Sequence, residues 1–211
     1  MTHTLHRQGT VENLTNDFPM HAMPTVGHNK EGCTPKLQQF WDIAQQHNPV
    51  NSGDSKVGNQ FDHDIDKLRV NLSSTTHAVF STEEDLTGLL KDLKDADVGM
   101  SITLSGLLDQ LYTCCKHADL KPYAVEYSLK IQGDTSQLPD PKYMEITTMC
   151  GHAMVSRGQI GIMLDKIKKG EMTAREASIE LARPCQCGVF NPVRAEALLE
   201  EFCALYSIGV K

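Results

Sequence analysis

Two short segments in the last third of the chain carry the residue types that do chemistry: Met149-Cys150-Gly151-His152 and Pro184-Cys185-Gln186-Cys187-Gly188. A Cys-x-Cys pair brings two sulfurs to one centre. A Cys-x-His pair 35 residues earlier supplies a third sulfur and an imidazole. Three thiolates and one imidazole suit zinc. They also suit an iron–sulfur cluster of the four-iron type held by Cys150, Cys185 and Cys187, with the remaining iron on His152 or open to substrate. An open iron acts as a Lewis acid. Glycines beside the cysteines let backbone N–H groups approach sulfur, which tunes a cluster. On that ground an iron–sulfur cluster is expected ahead of zinc, although neither spacing is that of a zinc finger or a ferredoxin.

Other readings of the same residues stand beside this one. Free cysteine is often a small buried hydrophobe. A metal-free thiol enzyme would use Cys150 or Cys185 as nucleophile and His152 as base. A structural zinc site would let the helical part dock a partner protein. Arg183 and Arg194 flank the second motif and are expected to orient an anionic substrate or to neutralise a cluster. The functional expectation is therefore a metalloprotein with oxidoreductase or lyase chemistry, Cys150, His152, Arg183 and Arg194 being the catalytic candidates. Its partner is a small-molecule substrate or a redox partner protein.

The remaining thiols and imidazoles are assigned to the fold. Cys114-Cys115 lie mid-helix, where neighbours point in different directions, and are read as core. Cys33, Cys203, His77 and His117 are likewise read as structural. The first 75 residues hold six of the nine histidines. They read as a solvated tail. A further reading is an arm that docks on the Cys/His site and delivers His6 or Arg7.

Three regions must position these groups. Residues 1–75 read as an irregular arm with one helix, from Lys36 to His47, preceded by Thr34 as N-cap and Pro35; residues 48–63 read as loop. Residues 76–132 read as a β-α-β-α-β unit. Thr76–Phe80 is its first strand, a leucine stripe at 86, 89, 90 and 93 its first helix, and Val98–Leu104 its second strand. A helix after Ser105-Gly106 leads to Tyr123–Ile131, which alternates like a third strand. That order implies parallel neighbours. One glycine after Ser105 is too little to mark a phosphate loop. Residues 133–211 read as helical. The signals are the end at Lys168-Lys169-Gly170, a capping box at Thr173 and Glu176, a stop at Pro184 and a start at Asn191-Pro192. The fold class is α/β, with α+β as the alternative.

Composition excludes whole classes. The 211 residues are 40% hydrophobic and 22% charged, enough to build a core. A net charge of −7 argues against a nucleic-acid partner, which needs clustered cations. No apolar run approaches the roughly 18–20 residues of a membrane span, and the N-terminus lacks an apolar signal region. A cytoplasmic location is expected. There the seven cysteines stay reduced and serve as ligands, nucleophiles or core.

Overall fold

The computed structural model describes residues 3–208. Five strands form one sheet: β1 (Phe18–Met23), β2 (Asn51–Asp54), β3 (Gly58–Asn59), β4 (Thr76–Phe80) and β5 (Ser101–Leu104). Their order is β3-β2-β4-β1-β5, and every neighbouring pair is antiparallel. The helices are α1 (Val11–Leu14), α2 (Thr34–Gln45), α3 (Ile65–Asn71), α4 (Glu83–Ala96) and α5 (Leu108–His117), then α6 (Pro141–Thr147), α7 (Arg157–Lys168), α8 (Ala174–Ala182) and α9 (Pro192–Ile208). The chain is thus a mixed α/β protein with a helical C-terminal part.

The expected parallel neighbours are corrected by the strand order. β4 and β5 run in the same direction and are joined through α4, but β1 lies between them, antiparallel to both. β1 comes from the stretch read as an irregular arm, which also contributes β2 and β3. Residues 123–131 do not form a strand. Their alternate side chains Tyr123, Val125, Tyr127, Leu129 and Ile131 are exposed. The alternation has no layer to bury against, so pairing is not reinforced by burial. The start of α2 also differs: Thr34 lies inside the helix and donates to Leu72 O, and Cys33 is the uncapped flanking residue.

Strand alternation divides the sheet between two cores. Ala78 and Phe80 of β4, with Phe18, Met20 and Ala22 of β1, face α2–α5. Val79 faces the opposite way and packs with α6–α9 and the cysteine segments. His77 shares the face of Val79, and His21 is its partner across β1–β4. The period of two thus sets two imidazoles side by side on the face toward the C-terminal helices.

The C-terminal helices stop and start where their caps dictate. Thr173 and Glu176 form a reciprocal capping box on α8, and Asn191 accepts from Arg194 N at the start of α9. Between them α8 ends at Ala182, and Pro184–Phe190 forms the loop that carries two of the cysteines.

Candidate metal centre

Cys150, Cys185 and Cys187 are buried together in the second core. The Cys185 and Cys187 sulfurs are 4.0 Å apart. The Cys150 thiol is held up by its hydrogen bond to Cys185, and then by burial. Cys185 receives that hydrogen bond, which favours its thiolate. Its own bond to Cys187 and its burial outweigh this and raise it. Cys187 ends the relay. The hydrogen bond from Cys185 lowers its pKa against the cost of burial, which makes it the readiest thiolate of the three.

Four imidazoles gather beside Cys187. His3 Nε2 is 3.5 Å and His152 Nδ1 3.7 Å from its sulfur. The His3 and His152 rings stack at 4.2 Å, His77 meets His3 edge-on at 5.5 Å, and His21 lies 5.4 Å from His77. Donor atoms of His3, His77 and Cys187 all fall within 4.8 Å of one another. Burial, then His152 and Arg7, lower His3 to about 4. Burial, then His3, lower His21 to about 4 as well. His77 is held well below its ordinary value, first by burial and then by its imidazole neighbours. All three are neutral at pH 7, the state in which imidazole is a ligand. His77 is 1% exposed, and neither of its ring nitrogens makes a hydrogen bond of good geometry, the Thr75 backbone being the one polar group that acts on the ring at hydrogen-bond range.

The separations have the dimensions of a coordination polyhedron. Metal–sulfur bonds of about 2.3 Å and metal–nitrogen bonds of about 2.0–2.1 Å at tetrahedral angles give S···N edges of about 3.6 Å and S···S edges of about 3.8 Å. Within the set of His3, His77 and Cys187, the 3.5 Å between His3 Nε2 and the Cys187 sulfur matches that edge.

Loop and arm are fixed by buried polar groups. Asn59 donates to the carbonyls of Arg183 (2.9 Å) and Cys185 (3.1 Å) and accepts from Phe61 N. Gly188 has φ +76°, and a Cβ there would meet Ser52 and Gly53 of β2 at 2.5–2.6 Å. Gly151 has φ +58°, and a Cβ there would run into the His3 carbonyl. Only glycine lets the first cysteine loop and the N-terminal arm lie this close. Arg7 clamps the arm, pairing with Asp17 and donating to Met149 O and Val189 O. Arg194 pairs with Asp17 at 2.9 Å and donates to Gln8 O.

A cavity of about 610 Å³ opens onto the imidazoles. His3, His21, His77 and His152 line its inner end. Leu5, α5, the edge of β5 and residues 120–126 line the rest.

No protein-family model, no curated protein and no solved structure matches this chain.

Of the residues singled out from sequence, Cys150, His152, Cys185 and Cys187 come together. Arg183 and Arg194 lie elsewhere: Arg183 pairs with Glu180 and donates to Phe61 O, and Arg194 is spent on Asp17 and the arm. The arm does dock. It brings His3 and Arg7, whereas His6 bonds Ser128. Sequence reasoning read His77 as structural, and it did not place His3 or His21 at the cysteine site. The alternation of Thr76–Phe80 does place His77 on the face of Val79, the one signal available for it.

Proposed function

We propose that the chain binds one transition-metal ion of the zinc class through the Cys187 thiolate and the imidazoles of His3 and His77. The ion serves as a Lewis acid toward a small molecule entering from the cavity. The observation that carries this reading is His77, a buried neutral imidazole without a hydrogen bond of good geometry, its donor atom lying within 4.8 Å of those of His3 and Cys187. An imidazole so placed leaves polar atoms unsatisfied at a cost of about 1–3 kcal/mol each, and an ion offsets that cost at the nitrogen it binds. Three protein ligands and an open position toward a cavity are the pattern of a catalytic site, where structural sites are closed by four. His152 is exposed at the cavity and adjoins both His3 and Cys187. It is the group best situated to carry protons to and from a metal-bound ligand. Cys185 and Cys150 then support the Cys187 thiolate from behind through hydrogen bonds.

The iron–sulfur reading keeps one observation in its favour, the convergence of three buried sulfurs. A cubane puts each cysteine on a different iron, so its sulfurs stand further apart than two ligands of one ion. The 4.0 Å between Cys185 and Cys187 is shorter than that, and fits the hydrogen bond by which Cys185 supports the Cys187 thiolate in the single-ion reading. The metal-free thiol reading is weakened by the raised pKa of Cys150 and Cys185.

Metal and acid-labile sulfide analysis of protein purified without oxygen tests the assignment. One metal per chain without sulfide is expected, lost in His77→Ala and Cys187→Ser and kept in Cys150→Ser. Sulfide matching iron, with loss in Cys150→Ser, would replace the single ion by a cluster.

A further inference from the structure

The cavity that ends at the imidazoles also constrains what reaches them. Its volume of about 610 Å³ lies in the range that encloses most of a drug-sized ligand. Beyond the histidines its wall is largely apolar. Leu90, Ile102, Leu104, Leu108 and Leu111 come from α4, β5 and α5, and Pro122 and Val125 from the segment that covers the free edge of β5. The charged wall residues are Lys121 and Glu126, one of each sign, both exposed. The polar remainder is mostly hydroxyl, such as Ser101, Thr103 and Ser105. An ionised group along this wall would lose water without gaining a buried counter-charge. The body of a well-matched ligand is therefore uncharged and apolar.

The inner end has the opposite character. A divalent ion held by one thiolate, Cys187, and two imidazoles, His3 and His77, which bind metal as neutral rings, retains one positive charge. In a partly dry site that charge favours a monoanionic donor at the open coordination position.

We infer that this cavity takes an amphipathic small molecule, with one anionic donor head on the ion and an apolar body lying between α5, the edge of β5 and residues 120–126. The inference rests on the metal reading above, and supplies what that reading leaves open, the chemical class of the ligand. The wall selects against dianions, which would find no buried counter-charge along it. It favours carboxylates, thiolates or enolates carrying a long aliphatic or aromatic group.

Two hydroxamates of identical head and different tail separate head binding from tail binding. The protein is loaded with cobalt(II) in place of zinc, and acetohydroxamate and octanohydroxamate are titrated while the visible cobalt bands are followed. Each buried methylene is worth about fourfold in affinity. Six additional methylenes then predict that octanohydroxamate binds at least about 100-fold more tightly than acetohydroxamate. In Leu108→Asp, which puts a carboxylate in the wall away from the ion, the preference should fall below about tenfold while cobalt and acetohydroxamate still bind. If cobalt gives no tetrahedral spectrum with wild-type protein, the metal reading fails and takes this inference with it. If cobalt binds but the two hydroxamates have equal affinity, the metal reading stands and the apolar-ligand assignment is overturned. A preference that survives intact in a folded Leu108→Asp also overturns it, because the tail then lies elsewhere.

Discussion

Asp17→Asn removes one charge from the point where the N-terminal arm is fastened. The Asp17 carboxylate is fully buried and pairs with Arg7 and with Arg194, whose side chains are 5% and 2% exposed. Asn191 adds a hydrogen bond at 3.1 Å. Burial pushes Asp17 up, but Arg7 and Arg194 outweigh it and hold the carboxyl below its ordinary value. Asparagine keeps the shape and leaves two guanidiniums facing each other without a counter-ion. Breaking a buried pair from one side costs about 3–5 kcal/mol, against a total stability of about 5–15 kcal/mol for a domain. The cost has an upper bound set by release of the arm. Arg7 reaches water by letting go of Met149 O and Val189 O, and His3 then leaves the centre with it. The expected result is a loss of about 3 kcal/mol in urea unfolding of metal-free protein at pH 7.5. Competition with a chromophoric chelator should also show metal affinity at least tenfold weaker. A stability loss below about 1 kcal/mol would refute the assignment of Asp17 as counter-ion to two buried charges. A full loss with unchanged metal affinity would detach the arm from the centre.

Four further outcomes follow from the same geometry. Gly151→Ala drives a Cβ into the His3 carbonyl at a positive-φ position and should weaken metal binding at least tenfold in the chelator competition. Gly158→Ala, within α7 and with only Ser156 Oγ near the added Cβ, at an ordinary contact distance of 3.8 Å, should leave binding unchanged and stabilise the protein by up to about 1 kcal/mol. Acid sensitivity follows from His21, which burial and then His3 lower to about 4, below the ordinary imidazole value of about 6.5. The unfolded chain takes up this proton first, so stability is complete above pH 6.5 and falls as pH drops from 6.5 toward 4. The loss at pH 5 is about 2 kcal/mol, His77 adds to it in the same direction, and urea midpoints of metal-free protein that stay level from pH 7.5 to 5 would contradict both. Asn59→Ala strips the Arg183 and Cys185 carbonyls and Phe61 N of their partner, for a loss of about 2–4 kcal/mol by the same urea assay.

Local structure was legible wherever a local cause decides it. Thr82 caps α4, Thr173 and Glu176 cap α8, and Thr76–Phe80 is a strand with the bounds its apolar run implies. β2 shows the opposite case. Asn-Ser-Gly-Asp has the composition of a turn, yet all four residues are buried in the sheet. Their polar groups are satisfied from far along the chain: Asn51 bonds Phe190 O, and Asp54 accepts from Ser73 N and Ser74 N. Tertiary partners overrode propensity there. The strand order was hidden for a related reason. Nothing in the β4-α4-β5 segment records that a strand from the first 25 residues inserts between its two strands.

The centre was half legible, and the division has a physical basis. Cys150, His152, Cys185 and Cys187 sit in two short motifs, and short motifs declare themselves by spacing. His3 and His77 reach the same point through the arm clamp and the sheet register, neither of which has a sequence period. Alternation in β4 does say that His77 and Val79 share a face, but what covers that face is decided by helices 60 and more residues later. Read as structural, His77 would need a hydrogen-bond partner to be stable in the interior. Neither ring nitrogen has one of good geometry, so a structural role leaves that cost unexplained, and the proposed ligand role would offset it at one nitrogen. The same logic links the arm to the centre. His3 is placed by Arg7, Asp17 and Arg194, so an ion bound at His3 and Cys187 holds the two ends of the chain together, and metal binding and arm docking must stabilise each other.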